Sequence, residues 1–278
     1  MLSLQDHYPV PDFIPHLNNE EFRQLKPEKK CPTCEDKGTF LWDHDQDGLV
    51  DEPVEWQCAC LEQVVLRNYL QRCGLSQQLF WRGMDELPIF DSGDMEQLLE
   101  YVDNVEDYLR AGLSLSLSGN SFNGKSTWAT YLMKKFISIQ KDVQSLNLDV
   151  LTDAYSATWG SKTKDSQQQQ ASMDYFSQRV INVPILMIDN IGRNKQRSDV
   201  SSVQQAFLRV TNDRAEAGRP TILTFCEELD PKKPYVTTSH LEGTMIPLVL
   251  GGRNLSQTNI KRKLSDVERN IKRPIRLT

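Results

Sequence analysis

Residues 119–127 run Gly119-Asn120-Ser121-Phe122-Asn123-Gly124-Lys125-Ser126-Thr127 and fit G-x-x-x-x-G-K-[ST]. Few short patterns constrain a fold so tightly. Glycines let the backbone curl until successive N–H groups point inward at an anion. Lys125 brings positive charge to the β and γ phosphates, and the Ser126 hydroxyl can ligate Mg²⁺. The pattern works only between a strand and a helix. Upstream, residues 113–118 alternate leucine and serine with the period of a strand. Downstream, Trp128, Leu132, Met133, Phe136 and Ile137 recur at helical spacing over 128–139. The helix start adds its own partial positive charge. Gly119, Asn120, Ser121, Phe122, Asn123, Gly124, Lys125, Ser126 and Thr127 are therefore the candidate phosphate-binding residues.

A phosphate loop needs an acid for the metal side. Val183–Gly192 is a continuous apolar run that ends in Asp189, as a central parallel strand does. Ligands bind at the carboxyl ends of such strands. Asp189 is thus expected to hold the Mg²⁺ water shell opposite Ser126. Asn190 follows, and an amide cannot accept a proton at neutral pH. Either another residue such as Asp199 serves as base, or hydrolysis is slow, or nucleotide acts as a switch. Residues 221–226 read as a further buried strand, whose Thr224 could sense the γ-phosphate.

Four of the six cysteines lie in residues 31–60, as Cys31-x-x-Cys34 and Cys58-x-Cys60. Between them, residues 38–42 and 54–57 read as the strands of a hairpin. A hairpin brings its ends together, so four thiolates can converge on one tetrahedral ion. Zn²⁺ in a closed structural site is the expectation; an iron–sulfur cluster and four free thiols are the alternatives. About thirty residues build too little core alone, so metal would supply folding energy. The tip, Asp43 to Glu52, imitates the start of a Ca²⁺ loop, but Val54 stands where the twelfth-position Glu should be. It reads as a solvated acidic turn.

The rest is scaffold. Residues 1–30 read as an arm with one short helix near Asn18–Leu25. Helices are expected over 61–73, near Met95–Arg110, over 149–159 and over 203–216, with a strand at 143–148. The polar, glutamine-rich stretch 161–172 reads as mobile. Residues 227–278 show weaker periodicity and end in Lys261, Arg262, Lys263, Arg269, Lys272, Arg273 and Arg276. The chain's net charge is −6, so any nucleic-acid contact must be local, and this cluster is the candidate. No apolar run is long enough for a bilayer. The N-terminus has no basic region followed by an apolar core, so a cytoplasmic setting is expected, with thiols rather than disulfides.

In order, these elements resemble a known family. The Cys₄ knuckle, the bridging helix, G-x-x-x-x-G-K-S, the strand ending Ile-Asp-Asn-Ile-Gly, then Asn212-Asp213-Arg214 and Gly218-Arg219-Pro220-Thr221-Ile222, look like the DnaC/DnaI helicase loaders. Those are AAA+ ATPases related to the IstB transposition ATPases, and phage versions commonly carry a zinc-binding N-terminal domain. The similarity covers roughly residues 31–226. It implies an α/β fold: a P-loop AAA+ core with a parallel sheet flanked by helices, plus a small N-terminal zinc-binding β-hairpin domain. The corresponding limits are 1–76 for arm and zinc domain, 77–111 for linker and bridging helix, and 112–278 for the ATPase. ATP, Mg²⁺ and Zn²⁺ are the implied cofactors. Implied partners are a hexameric DnaB-like replicative helicase, single-stranded DNA and further copies of the chain. By position, Lys125, Asp189 and Asn190 are the catalytic set, Ser126 and Asp189 the Mg²⁺ ligands, and Cys31, Cys34, Cys58 and Cys60 the Zn²⁺ ligands. Asn190 stands where the family has a second acid, and Cys226 where it has a γ-phosphate-sensing Asn. Arg209, Arg214 and Arg253 are the candidates for an arginine finger. A transposition ATPase of the IstB type, or a nucleotide-gated adaptor with little hydrolysis, shares the same core.

Overall fold

The computed structural model describes residues 10–14, 30–42, 54–89, 93–120, 122–158, 166–192, 200–226, 241 and 243–250. The expected helix near Asn18–Leu25, the acidic turn 43–52, Ser121, Asp199, Arg253 and the basic residues 261–276 lie outside them.

Strands β1 (Thr39–Trp42) and β2 (Val54–Gln57) form an antiparallel hairpin, with Phe40 opposite Trp56. Five further strands make a parallel sheet in the order β4-β5-β6-β3-β7. These are β3 (Ser114–Ser118), β4 (Val143–Asn147), β5 (Ile185–Ile191), β6 (Thr221–Phe225) and β7 (Met245–Val249). The phosphate-loop strand β3 sits between β6 and β7, and the Asp189 strand β5 lies one place beyond β6.

The leucine–serine alternation forms the expected strand β3, and all five of its residues are buried. The serine hydroxyls are absorbed internally: Ser114 Oγ accepts from Thr221 N at 3.0 Å, and Ser118 Oγ donates to the Leu248 carbonyl at 3.2 Å. Strand β5 is apolar throughout because both faces are covered. Its Ile185 and Met187 join one core with Leu115, Leu117, Trp128 and Phe136, while Leu186 and Ile188 join a second with Leu223, Phe207 and Val210.

Helix α1 (Leu61–Arg72) follows the hairpin. A short α2 (Gln77–Phe80) comes next, then α3 (Gly93–Asp103) and α4 (Val105–Arg110). The single helix expected over 95–110 is thus two. Asn104 breaks it, its side-chain amide bonding back to Glu100 O at 2.9 Å while Tyr101 and Tyr108 stack across the bend at 4.5 Å. Helix α5 (Lys125–Ser138) leaves the phosphate loop. Helix α6 (Leu148–Ala157) starts at Asn147, whose side chain accepts from Val150 N at 2.8 Å. Within the polar stretch expected to be mobile, residues 166–172 are helical, as part of α7 (Ser166–Tyr175), which continues into a π turn, Phe176–Ile181. Helix α8 is Val200–Glu216.

Leu66, Tyr69, Leu70 and Cys73 share a core with Trp128 and Phe136, so the helix after the knuckle packs on the core of the parallel-sheet domain. Its C-terminal corner meets the outer strand β4, where Ser145 N donates to Cys73 O at 2.7 Å. Arg179 ties the same corner, donating to Asp142 at 2.6 Å and Gln144 at 3.1 Å, while Tyr69 donates to Asp142 at 3.2 Å. No helix among the described residues is long and apolar enough to cross a membrane.

Candidate nucleotide site and cysteine knuckle

The phosphate loop takes left-handed backbone at Gly119 (φ 121°), Phe122 (φ 64°) and Gly124 (φ 93°). Phe122 is unusual there, since a bulky residue in that region costs on the order of 1–3 kcal/mol, and the residue is 63% exposed. Gly119 has no choice of residue. A Cβ on it would come within 2.4 Å of the Leu250 carbonyl, which is backbone and cannot swing away. Gly119→Ala is expected to distort the loop and weaken nucleotide affinity about tenfold or more, read by titration with a fluorescent ADP.

Lys125 lies at the first position of α5 and is buried, with 7% of the residue exposed. It donates to Gly119 O at 2.9 Å, Asn120 O at 2.6 Å and Asn123 Oδ1 at 3.0 Å. Burial lowers its pKa, with the charges of Cys226 and Asp189 working the other way. Thr127 is buried on the same turn.

Ser126 Oγ donates to Asp189 Oδ1 at 2.8 Å. Octahedral Mg²⁺ at about 2.1 Å from each ligand places neighbouring oxygens about 2.9 Å apart. This hard-oxygen pair therefore fits one edge of such a shell. Thr224 Oγ1 also donates to Asp189 Oδ1 and accepts from Asn190 N at 2.9 Å. Its hydroxyl is thus engaged with the acid rather than held out for a γ-phosphate.

Asn190 has φ 61° where β5 breaks register with β6 between Ile188 and Ile191. Asn tolerates that backbone better than most residues. Its amide nitrogen donates to Asp189 Oδ2 at 2.8 Å, and its oxygen lies 3.7 Å from Cys226 Sγ. The side chain is folded onto the acid.

Arg214 is no arginine finger. It is fully buried and spends its guanidinium on six acceptors within its own chain, so it cannot reach a neighbouring subunit. Arg209 is largely exposed on α8 and pairs with Asp213 at 2.8 Å.

At the other end, the sulfurs of Cys31, Cys34, Cys58 and Cys60 all lie within 4.8 Å of one another. Cys31 and Cys58 approach to 3.6 Å, Cys34 and Cys60 to 3.2 Å. A tetrahedron with Zn–S bonds of about 2.3 Å has edges of about 3.8 Å. The four thiols could hold zinc. Gly38, at φ 83°, aims its N–H at Cys34 Sγ at 3.4 Å, and its carbonyl accepts from Cys58 N at 2.9 Å. Burial opposes ionisation of Cys34, but hydrogen bonds from Cys60 and the Gly38 amide outweigh it and draw its pKa to about 6. Cys60 is pushed up, first by its hydrogen bond to Cys34 and then by burial. Asp36 pins the knuckle to α1: it accepts from Cys31 N at 2.9 Å and pairs with Arg67 at 3.0 Å.

Two participants escaped sequence reading. Strand β7 and its exit at Leu250 form one wall of the phosphate loop, and Asn123 reaches across to them. The run Met245-Ile246-Pro247-Leu248-Val249 carried the signal, with Pro247 suiting an outer strand.

The sheet order, the phosphate loop and the acid strand define a P-loop α/β core with a parallel sheet between helices, carrying a small cysteine knuckle. Among solved structures, the DnaC helicase loader resembles the chain at 17% identity, over 63% of this chain and 100% of that one, TM-score 0.47. DnaI matches at 15% identity over 65% and 93%, TM-score 0.43. A DNA replication initiation factor matches at 17% identity over 64% of this chain and 52% of that one, TM-score 0.44. The match thus spans about half the length of that initiation factor. No protein-family model matches the chain, and no curated protein matches it in sequence.

Proposed function

We propose that the chain is an ATP-dependent helicase loader, of phage or bacterial origin, acting in the cytoplasm. It would bind a hexameric DnaB-like replicative helicase and deliver it to single-stranded DNA, self-associating through residues 112–278. The observation that carries the nucleotide part is the Ser126–Asp189 contact beside Lys125 in a glycine-turned loop. Support for the loader role comes from that core joined to a Cys₄ knuckle, the combination the sequence resembles. Gly119 to Thr127 wrap the phosphates and Lys125 offsets their charge. Ser126 and Asp189 would hold Mg²⁺, which supplies charge neutralisation at the β and γ oxygens. Residues 1–76, with zinc on Cys31, Cys34, Cys58 and Cys60, would engage the helicase.

The test is retention of a replicative helicase on immobilised protein with ATP, with ADP and without nucleotide. Lys125→Ala is expected to lose at least tenfold in ATP affinity and all nucleotide-dependent retention. No retention in any nucleotide state sinks the loader reading, and retention of a transposase instead favours the IstB type. The inward-turned amide of Asn190 favours a second reading, a nucleotide-gated adaptor. That reading expects ATP binding with turnover no higher than in Lys125→Ala.

A further inference from the structure

We infer that Asn123 is the positioning residue of the nucleotide site, its buried amide bridging the Leu250 carbonyl to the Lys125 ammonium. The inference rests on the nucleotide-site reading. Asn123 is fully buried, although it occupies one of the unrestricted positions of the loop pattern. Both ends of its amide are used. Nδ2 donates to Leu250 O, and Oδ1 accepts from Lys125 Nζ at 3.0 Å. The anchor is itself fixed, because Leu250 N donates to Ser118 O at 2.9 Å. The same carbonyl is the atom that a side chain on Gly119 would strike.

These contacts have one mechanical meaning. Lys125 has a long stem, and an ammonium alone has no preferred direction. Two of its partners, Gly119 O and Asn120 O, belong to the loop and move with it. Among the described residues, Asn123 alone links it by a hydrogen bond to a neighbouring strand. The amide fixes where the charge sits before phosphate arrives, so less ordering remains to be done on binding. Among the described residues, the charged or titratable groups acting on Lys125 are Cys226 and Asp189. Neither substitutes for the tether, since Asp189 already accepts from Ser126, Thr224 and Asn190.

The experiment has two arms on the full chain. In the first, fluorescent ADP is titrated against wild type, Asn123→Ala, Lys125→Ala and the double variant. Asn123→Ala is expected to weaken binding about tenfold, and to cost less than twofold once Lys125 is absent, because residues acting through one another are non-additive. An undiminished tenfold cost in the double variant overturns the proposal. In the second arm, acetic anhydride labels the nucleotide-free proteins over a range of pH, and the Lys125 peptide is quantified by mass spectrometry. Losing its acceptor should make Lys125 label faster in Asn123→Ala. A carboxylate in its place should make it label more slowly in Asn123→Asp while still weakening ADP, since Leu250 O then faces an acceptor. Unchanged labelling in both variants overturns the proposal, and Asn123→Asp alone decides if the alanine variant does not fold. Failure of wild type to bind any nucleotide would instead sink the nucleotide-site reading, with the labelling arm still reporting on the amide.

Discussion

Arg214→Met is expected to unfold the parallel-sheet core near temperatures at which the native chain is intact. The guanidinium sits with no exposed surface and its six acceptors are all neutral. Nε donates to Thr221 Oγ1 at 3.0 Å. Nη1 reaches Val180, Ile181 and Val183 carbonyls at 3.0, 3.0 and 2.7 Å. Nη2 reaches Pro184 and Pro220 carbonyls at 3.2 and 2.7 Å. Burial, followed by the charge of Arg219, pushes its pKa down to about 9. One side chain thereby satisfies the end of the π turn and the entrances of β5 and β6. Methionine matches much of the volume and none of the donors. Each orphaned carbonyl costs on the order of 1–3 kcal/mol, and relaxation will recover part of that, leaving a loss of about 4 kcal/mol or more. For a chain of this size that lowers the melting temperature by about 10 °C. Arg214→Lys, with three donors and no planar fork, should fall between. A methionine variant melting within a couple of degrees of wild type would falsify this account.

The second large effect concerns the knuckle. Stripping metal with a strong chelator, or changing Cys34 to Ser, should unfold residues 31–60 and leave the phosphate loop able to bind nucleotide. The hairpin has little core of its own: Leu41 is 67% exposed and Trp56 52% exposed. Zinc on the four sulfurs would supply its order, since apparent binding energies of zinc knuckles run to about 10–16 kcal/mol. Elemental analysis should find one zinc per chain in wild type and none in Cys34→Ser. Limited proteolysis should then cut the variant within residues 31–60. A metal-free chain that resists cleavage there would show that α1 and the Asp36–Arg67 pair hold the knuckle unaided.

Much of this was legible from residue pattern because the relevant signals are local. The phosphate loop, the cysteine spacing and the apolar run before Asp189 each need only a short window. What escaped depended on distant partners. Helix 95–110 looks continuous until Asn104 bonds back to Glu100 and the chain bends. The glutamine-rich stretch has no apolar stripe, yet it forms α7 beside α6 because Tyr175 and Phe176 at its end reach the second core. Strand β7 is short and carries a proline, and only its place beside β3 makes it a strand. Arg214 resembles any exposed helical arginine in sequence. Its role follows from three segment ends that converge on it, which no local pattern encodes.

One contact described above bears on how the protein behaves in bulk. Strand β4 is an outer strand of the sheet, and outer strands offer unpaired backbone to any passing chain. Here the corner at Cys73 and Gly74 takes that place. Ser145 N is bonded to Cys73 O, and Gly74 lies so near that a Cβ would meet Ser145 O at 2.2 Å. The corner is the end of α1, which starts at the knuckle's last cysteine. The corner is held by the main core and by Tyr69 and Arg179 on Asp142, so it shields the strand edge whatever the state of the knuckle. A chain in which α1 came away from this corner would bare a strand ready to recruit a second molecule, and its self-association would be aggregation by strand addition.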